Sequence, residues 1–317
     1  MQKPIPLYIS DFLDYCEVEK GLNPNTSKNY SRFLRKFTLW LEKNNLQKLC
    51  PVDLTEDHIW KYRMWLSRLP NSVRKATQGL DTSTQIRYLI AVRALLAYFH
   101  EKNISCLPTE KLKLPKERRE RRVKFLEFEQ VEKLLASPDI KTISGLRDRA
   151  ILETLFSTGL RVAELAALDQ KHLAGGKNKK DYEVSITGKG GYPRTVYFSE
   201  RALEWMKKYL SARNDEEAPL FTRMRGPSSA PQRLTTRAIE RIVQKYAAKA
   251  GTPMLATPHT LRHSFATDLL NQGVDLRSVQ EFLGHRNIAT TQVYTHVTNK
   301  RLKDIHRKFH SERKNES

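Results

Sequence analysis

Acidic side chains are scarce in this chain relative to basic ones. Its 317 residues hold 35 Asp and Glu against 56 Lys and Arg, a formal net charge of +21 with a pI near 9.9. A folded protein this basic draws polyanions, and nucleic acid is the first candidate. Long apolar runs are also missing. No run reaches eighteen apolar residues, which excludes a spanning helix and leaves no membrane partner. The N-terminal MQKPIPLYIS has no apolar stretch long enough for a secretory signal. A cytoplasmic, nucleoid-associated location is expected. Cysteine is rare: Cys16, Cys50 and Cys106 are odd in number, scattered and not spaced as metal ligands. A disulfide framework is excluded, and no metal site is expected. Internal repeats and long low-complexity tracts are absent, which excludes a solenoid.

What is present suggests two domains, each long enough for its own core. The first reads as four amphipathic helices with short loops, a small antiparallel bundle. Ile9, Phe12, Leu13 and Cys16 share one helical face. Asn23-Pro24 is a helix start, a capping side chain followed by proline at the first helical position. Tyr30, Phe33, Leu34, Phe37 and Leu41 follow at helical spacing. A third helix begins near Thr55 and buries Ile59, Tyr62 and Leu66; a fourth begins near Thr82 and buries Ile86, Leu89, Ile90, Leu96 and Phe99. Their polar faces carry Lys28, Arg32, Arg35, Lys36, Arg87 and Arg93. Singly these are solvated surface charges; as a set they suit a phosphate backbone.

LKLPKERRERRVK, residues 112–124, is basic, contains Pro115 and lacks helical periodicity. That is linker composition. The expected division is therefore residues 1–111, a linker at 112–124, and a second domain at 125–317. The second domain is mixed. Helices are expected near Glu127–Ala136, Leu146–Ser157, Val162–Ala167, Glu200–Ala212, Thr235–Ala250, His259–Gln272, Asp275–Leu283 and Ile288–Tyr294, with a last basic one near Asn299–His310. Between Asp181 and Ser199 the period changes to two around GKGGYP, the pattern of a β-hairpin with a glycine-rich turn.

Chemistry concentrates in PHTLRHSFATDLLNQGVDLRSVQEFLGHRNIATTQVYTHV, Pro258 to Val297. His259 and Arg262 lie at i and i+3 of one helix, His285 follows Leu-Gly, and Tyr294 comes nine residues later. Three of these side chains can hold an anion, and the fourth carries a hydroxyl that can attack one. His263 is structural or of unknown role. Upstream, Arg161 begins a helix with Glu164 one turn on, placed to hold the guanidinium for a phosphate oxygen. Most Arg-x-x-Glu pairs are surface salt bridges, and a turn lysine such as Lys189 is ordinarily only exposed. The combination, in this order, carries the weight.

That combination resembles the tyrosine recombinase (phage integrase) family, closest to its Xer-type members. The carrying stretches are RDRAILETLFSTGLRVAELAAL, the hairpin GKGGYPRTV, HTLRHSFATDLL, LGHRNIATTQVYTHV and, near the N-terminus, DFLDYCEVEKGLNPNTSKNY. The resemblance spans nearly the whole chain. It implies a mainly α fold with a small β-hairpin or sheet. A four-helix core-binding (SAM-like) domain and an α+β catalytic domain would form a C-shaped clamp on DNA. It implies Arg161, Lys189, His259, Arg262 and His285 around the nucleophile Tyr294, with Glu164 in support and with Lys28, Arg32, Arg35, Arg87 and Arg93 toward DNA. Asp268 stands where many relatives have His, and the tail HSERKNES departs from the usual ending.

The implied reaction is site-specific cleavage and rejoining of double-stranded DNA through a 3′-phosphotyrosine and a four-way (Holliday) junction, with no metal and no nucleotide cofactor. The implied assembly is a homo-tetramer on DNA, or a heterotetramer with a sister recombinase, with an activating partner protein in some systems. Leu302, Ile305 and Phe309 form a stripe that docks on a neighbouring protomer or packs on its own domain. A Xer-type role in resolving chromosome or plasmid dimers is expected over a mobile-element integrase, because the chain starts almost directly in the core-binding domain. A type IB topoisomerase uses a similar residue set but acts as a monomer, and a DNA-binding protein without catalysis would not carry the set intact.

Overall fold

The computed structural model describes residues 2–70, 79–115, 124–173, 182–187, 193–224, 226, 227, 229, 232–253 and 256–284. The chain divides into two compact units, Met1–Glu120 and Arg121–Ser317.

The first unit is built on α1 (Ile9–Val18), α2 (Pro24–Lys43), α3 (Glu56–Arg68) and α4 (Thr82–Glu101). Caps set where α2 and α3 begin. The Asn23 side chain accepts from the Asn25 amide ahead of Pro24, and Thr55 Oγ1 accepts from the His58 amide. The core is unusually aromatic. Phe37, Trp40 and Tyr62 lie with ring centroids 5.0–5.8 Å apart, all three buried. Each such side chain contributes roughly 1.5–3 kcal/mol by leaving water. Three expectations change, the first being that Ile86 is half-buried rather than buried. Ile90 is exposed rather than buried, because α4 turns Leu89, Val92, Leu96 and Phe99 inward and leaves Ile90 on the outer face with Arg87 and Arg93. Leu112, expected to open the linker, is instead buried in the helical core, which runs on past residue 111.

On α2, Lys28, Arg32 and Arg35 are exposed at positions i, i+4 and i+7, one stripe along the helix, and Lys36 is half-buried beside it. Arg32 leans on the Phe33 ring, 5.0 Å from its centroid.

The second unit is organised around α6 (Ile143–Thr158), which packs against α5 (Phe128–Ala136), α8 (Glu200–Ser211), α9 (Thr236–Lys249), α10 (Pro258–Gln272) and the hairpin. Because it is surrounded, α6 buries polar groups as well as Ile151, Leu152 and Leu155, and each polar group finds a partner. Arg147 donates to Asp148 and to the Thr222 carbonyl, while Tyr246 donates to Asp148 at 3.0 Å. Glu153, 2% exposed, accepts from Arg149 and Arg201. The hairpin joins β1 (Tyr182–Thr187) to β2 (Pro193–Phe198) in antiparallel register, with Val184 opposite Val196. Its inward positions, Val184, Ile186, Val196 and Phe198, are buried as the alternation requires. Short α7 (Val162–Ala166) follows α6, and α11 (Leu276–Leu283) follows α10. Among the described residues no helix is long and apolar enough to cross a membrane.

Candidate active site

Two left-handed glycines shape this part of the second unit. Gly159 ends α6 at φ +59° and Gly284 ends α11 at φ +60°. Both stand at the position after the last helical turn, where glycine avoids the steric penalty of a side chain. Neither has room for one. A Cβ on Gly159 would lie 2.5 Å from Phe265, and one on Gly284 would lie 2.6 Å from Cδ of Arg194.

The turn at Gly159 places Arg161 at the N-cap of α7. Glu164, one turn on, accepts from the Arg161 backbone amide at 2.9 Å and from its Nη1 at 2.8 Å. The Arg161 side chain keeps about a third of its surface open, while Glu164 is almost covered. Burial raises the Glu164 carboxyl. The Arg161 amide, the charge of Arg194 and the Arg161 guanidinium outweigh it and hold the group below the usual carboxylate range.

Thr257 and Pro258 start α10. Thr257 Oγ1 accepts from the Thr260 amide, and proline occupies the first helical position. His259 and Arg262 project from the first turns. Sequence spacing put both on one ligand face, but they differ in environment. His259 is exposed, whereas Arg262 is 2% exposed and donates to the Gly159 and Leu283 carbonyls at 2.5 and 2.6 Å. Arg262 therefore clasps the ends of α6 and α11 together. The His259 and His263 rings meet edge to face with centroids 4.3 Å apart. Partial loss of hydration, then the positive charges of Arg262 and Arg161, push His259 below the ordinary imidazole value. Burial, then His259 and Arg262, push His263 down to about 4.

Arg194, inside GKGGYPRTV but not singled out from sequence, is the residue that the sequence alone misses. It donates Nη2 to Glu164 Oε2 at 2.7 Å and Nη1 to the Phe282 carbonyl. Arg161 Nη2 reaches the Gly284 carbonyl at 3.3 Å. Three consecutive carbonyls at the end of α11 thus each receive a different arginine: Phe282 from Arg194, Leu283 from Arg262, Gly284 from Arg161. Cations at the negative end of a helix are favourable in charge as well as in hydrogen bonding. Nothing in the sequence around Arg194 reveals these carbonyl acceptors. Lys189, His285 and Tyr294, with the helices expected at Ile288–Tyr294 and Asn299–His310, lie outside the described residues.

Comparison with known proteins decides the family. Residues 124–301 match the "Phage integrase family" profile, and residues 9–103 match "Phage integrase, N-terminal SAM-like domain". The tyrosine recombinase XerC of Pelotomaculum thermopropionicum is 37% identical over 319 residues, covering 96% of this chain and 98% of its own. The chain belongs to the phage integrase family, the tyrosine recombinases. Tyrosine recombinase XerD of Listeria innocua is 38% identical over 311 residues, covering 95% of this chain and 98% of its own. The enzyme class follows: a site-specific tyrosine recombinase. Two solved structures share the fold. XerH site-specific recombinase bound to palindromic difH substrate, a post-cleavage complex, superposes at a TM-score of 0.69 with 24% identity, over 94% of this chain and 84% of that one. The Tn1549 transposon integrase in complex with circular intermediate DNA gives 0.67 with 18% identity, over 93% of this chain and 95% of that one. The helical first unit and the mixed second unit with its two-stranded sheet agree with the expected fold class.

Proposed function

We propose that this recombinase cleaves and rejoins double-stranded DNA at a specific site through a 3′-phosphotyrosine on Tyr294, and that its role is Xer-type: resolution of chromosome or plasmid dimers. The observation that carries the chemistry is the convergence of Arg161 and Arg262 on the adjacent Gly284 and Leu283 carbonyls at the end of α11. Arg161, about a third exposed, can meet a non-bridging oxygen of one phosphodiester directly, and Arg262 would join it by exchanging one of its two carbonyl contacts for a second oxygen, so that the pair balances charge growing on pentavalent phosphorus. Ionising a free tyrosine at pH 7 costs about 4 kcal/mol, so attack needs an acceptor for the proton. His259 is exposed and held neutral beside these arginines, which suits a base or relay. Lys189 would protonate the departing 5′-oxygen, and His285 would add a donor. The phosphotyrosine conserves the bond energy, so rejoining needs no nucleotide.

The exposed stripe of Lys28, Arg32 and Arg35 and the exposed Arg87 and Arg93 would bind the phosphate backbone. The working assembly would be a homo-tetramer on two sites, or a heterotetramer with a sister recombinase, exchanging strands in pairs through a four-way junction. The Xer-type role is supported over mobile-element integration by the XerC and XerD relatives, matched along almost their whole length. The test is covalent trapping. The protein is incubated with nicked host DNA fragments, adducts are recovered under denaturing conditions, and the attached DNA is sequenced. Wild type should yield adducts on one recurrent site, and Tyr294→Phe should bind that site without forming any. An adduct from Tyr294→Phe would show that another residue is the nucleophile.

A further inference from the structure

Glu164 sets an electrostatic difficulty for the proposed clamp. Paired with Arg161 alone, its carboxylate would leave a group of zero net charge, a weak ligand for an anion. Arg194 changes that sum. Its Nη2 takes Glu164 Oε2 while Arg161 Nη1 takes Oε1, so two guanidiniums share one carboxylate and the cluster carries +1. The two arginines are not equivalent. The Arg161 side chain is 32% exposed and Arg194 only 12%, so the surplus charge is presented to solvent through Arg161. Arg194 is committed at both ends, to Glu164 and to the Phe282 carbonyl, and its Nε is buried without a partner beside Gly284. It cannot reach a ligand without abandoning these contacts.

We propose that Arg194 is a positioning residue for strand cleavage, which acts through Arg161 by neutralising Glu164 and tying α7, β2 and the end of α11 into one unit. Without Arg194, Oε2 would keep only the Arg161 amide, and the carboxylate would draw the Arg161 guanidinium toward itself. The bond that yields is the longest in the set, Arg161 to the Gly284 carbonyl at 3.3 Å. The inference rests on the phosphate-clamping role proposed above for Arg161.

The test uses full-length protein and the site recovered by trapping, as a nicked duplex, with single-turnover cleavage measured at saturating DNA. Arg194→Ala should slow cleavage on the order of 100-fold, comparable to losing one preorganised donor, with DNA affinity nearly unchanged. With a neutral methylphosphonate at the cleavage position the loss should shrink to less than about 10-fold, because no phosphate charge remains to be balanced. In the double variant Glu164→Gln/Arg194→Ala the cluster regains +1, and cleavage should recover at least severalfold over the single variant. Equal losses on phosphate and methylphosphonate, or a double variant slower than Arg194→Ala, would overturn the proposal and leave Arg194 a structural brace. If Arg194→Ala does not fold, Arg194→Lys, which keeps the charge but spans only one acceptor, should still cleave faster than Arg161→Ala; the reverse order also overturns it. Arg161→Ala is the control for the underlying assumption. If it cleaves normally, the clamp assignment itself fails, whatever Arg194 does.

Discussion

Glu164 accepts two hydrogen bonds from Arg161, one from the backbone amide and one from the guanidinium. A single carboxylate therefore caps the start of α7 and orients the side chain that leads into it. With Arg194 as third donor, the group is both a helix cap and the hub of an ion triad.

Replacing that carboxylate by its neutral isostere separates these duties. Glu164→Gln keeps the shape and one acceptor but leaves two guanidiniums, one nearly buried, without a counter-charge. Stability should fall by about 3 kcal/mol, the low end of the range for breaking a buried ion pair from one side, since Arg161 is partly exposed. The measurement is chemical unfolding of wild type and variant. A change under about 0.5 kcal/mol, typical of surface substitutions, would mean that solvent already screens the triad.

The histidine pair gives the catalytic unit an acid sensitivity of known sign. His263 binds its proton at about 4 in the folded state and near 6.5 when unfolded. The unfolded chain binds more protons between those values, so stability is full above about 6.5 and is lost as pH falls toward 4. Allowing for partial solvent access, the loss is on the order of 2 kcal/mol. His263→Gln should lessen the drop in Tm between pH 7 and pH 4.5. An identical drop in the variant would place the acid sensitivity elsewhere. For the same electrostatic reason, the acid limb of the cleavage rate should lie below the ordinary histidine value if neutral His259 is the base.

Lys28, Arg32, Arg35, Arg87 and Arg93 make a prediction about salt rather than about sequence. Each contact to a backbone phosphate releases a counterion, so each alanine variant should lower the slope of log K against log salt by about 0.9. The effect should be equal on any duplex, since phosphates carry no sequence information. Filter binding on a random duplex across a salt series is sufficient. A slope equal to that of wild type would place that residue off the DNA path.

Which parts were legible in sequence follows from where the information resides. Asn23-Pro24, Thr55 and the Thr257-Pro258 start act through neighbours in the chain, so residue type alone announces them. The hairpin could be read from its alternation for the same reason. Ile90 could not. Helix α4 buries Leu89, Ala91, Val92, Leu95, Leu96, Tyr98 and Phe99, so much of its circumference is apolar and periodicity does not isolate one outer residue. Sequence marked Arg262 as a candidate position but did not show it as a buried one, and Arg194 was not legible at all. Their partners are backbone carbonyls, 21 and 88 residues away, and every residue type has a carbonyl.

The three arginines at the end of α11 also bear on when order is imposed. A free arginine side chain holds about 2 kcal/mol of rotamer entropy, and a loose clamp would surrender it at the moment DNA arrives. Here Arg262 and Arg161 are docked on carbonyls of their own domain. The loss falls on folding, where burial of the core offsets it. For the phosphate clamp proposed above, little of that entropy would then be left to lose on binding, and readiness would be a property of the fold itself.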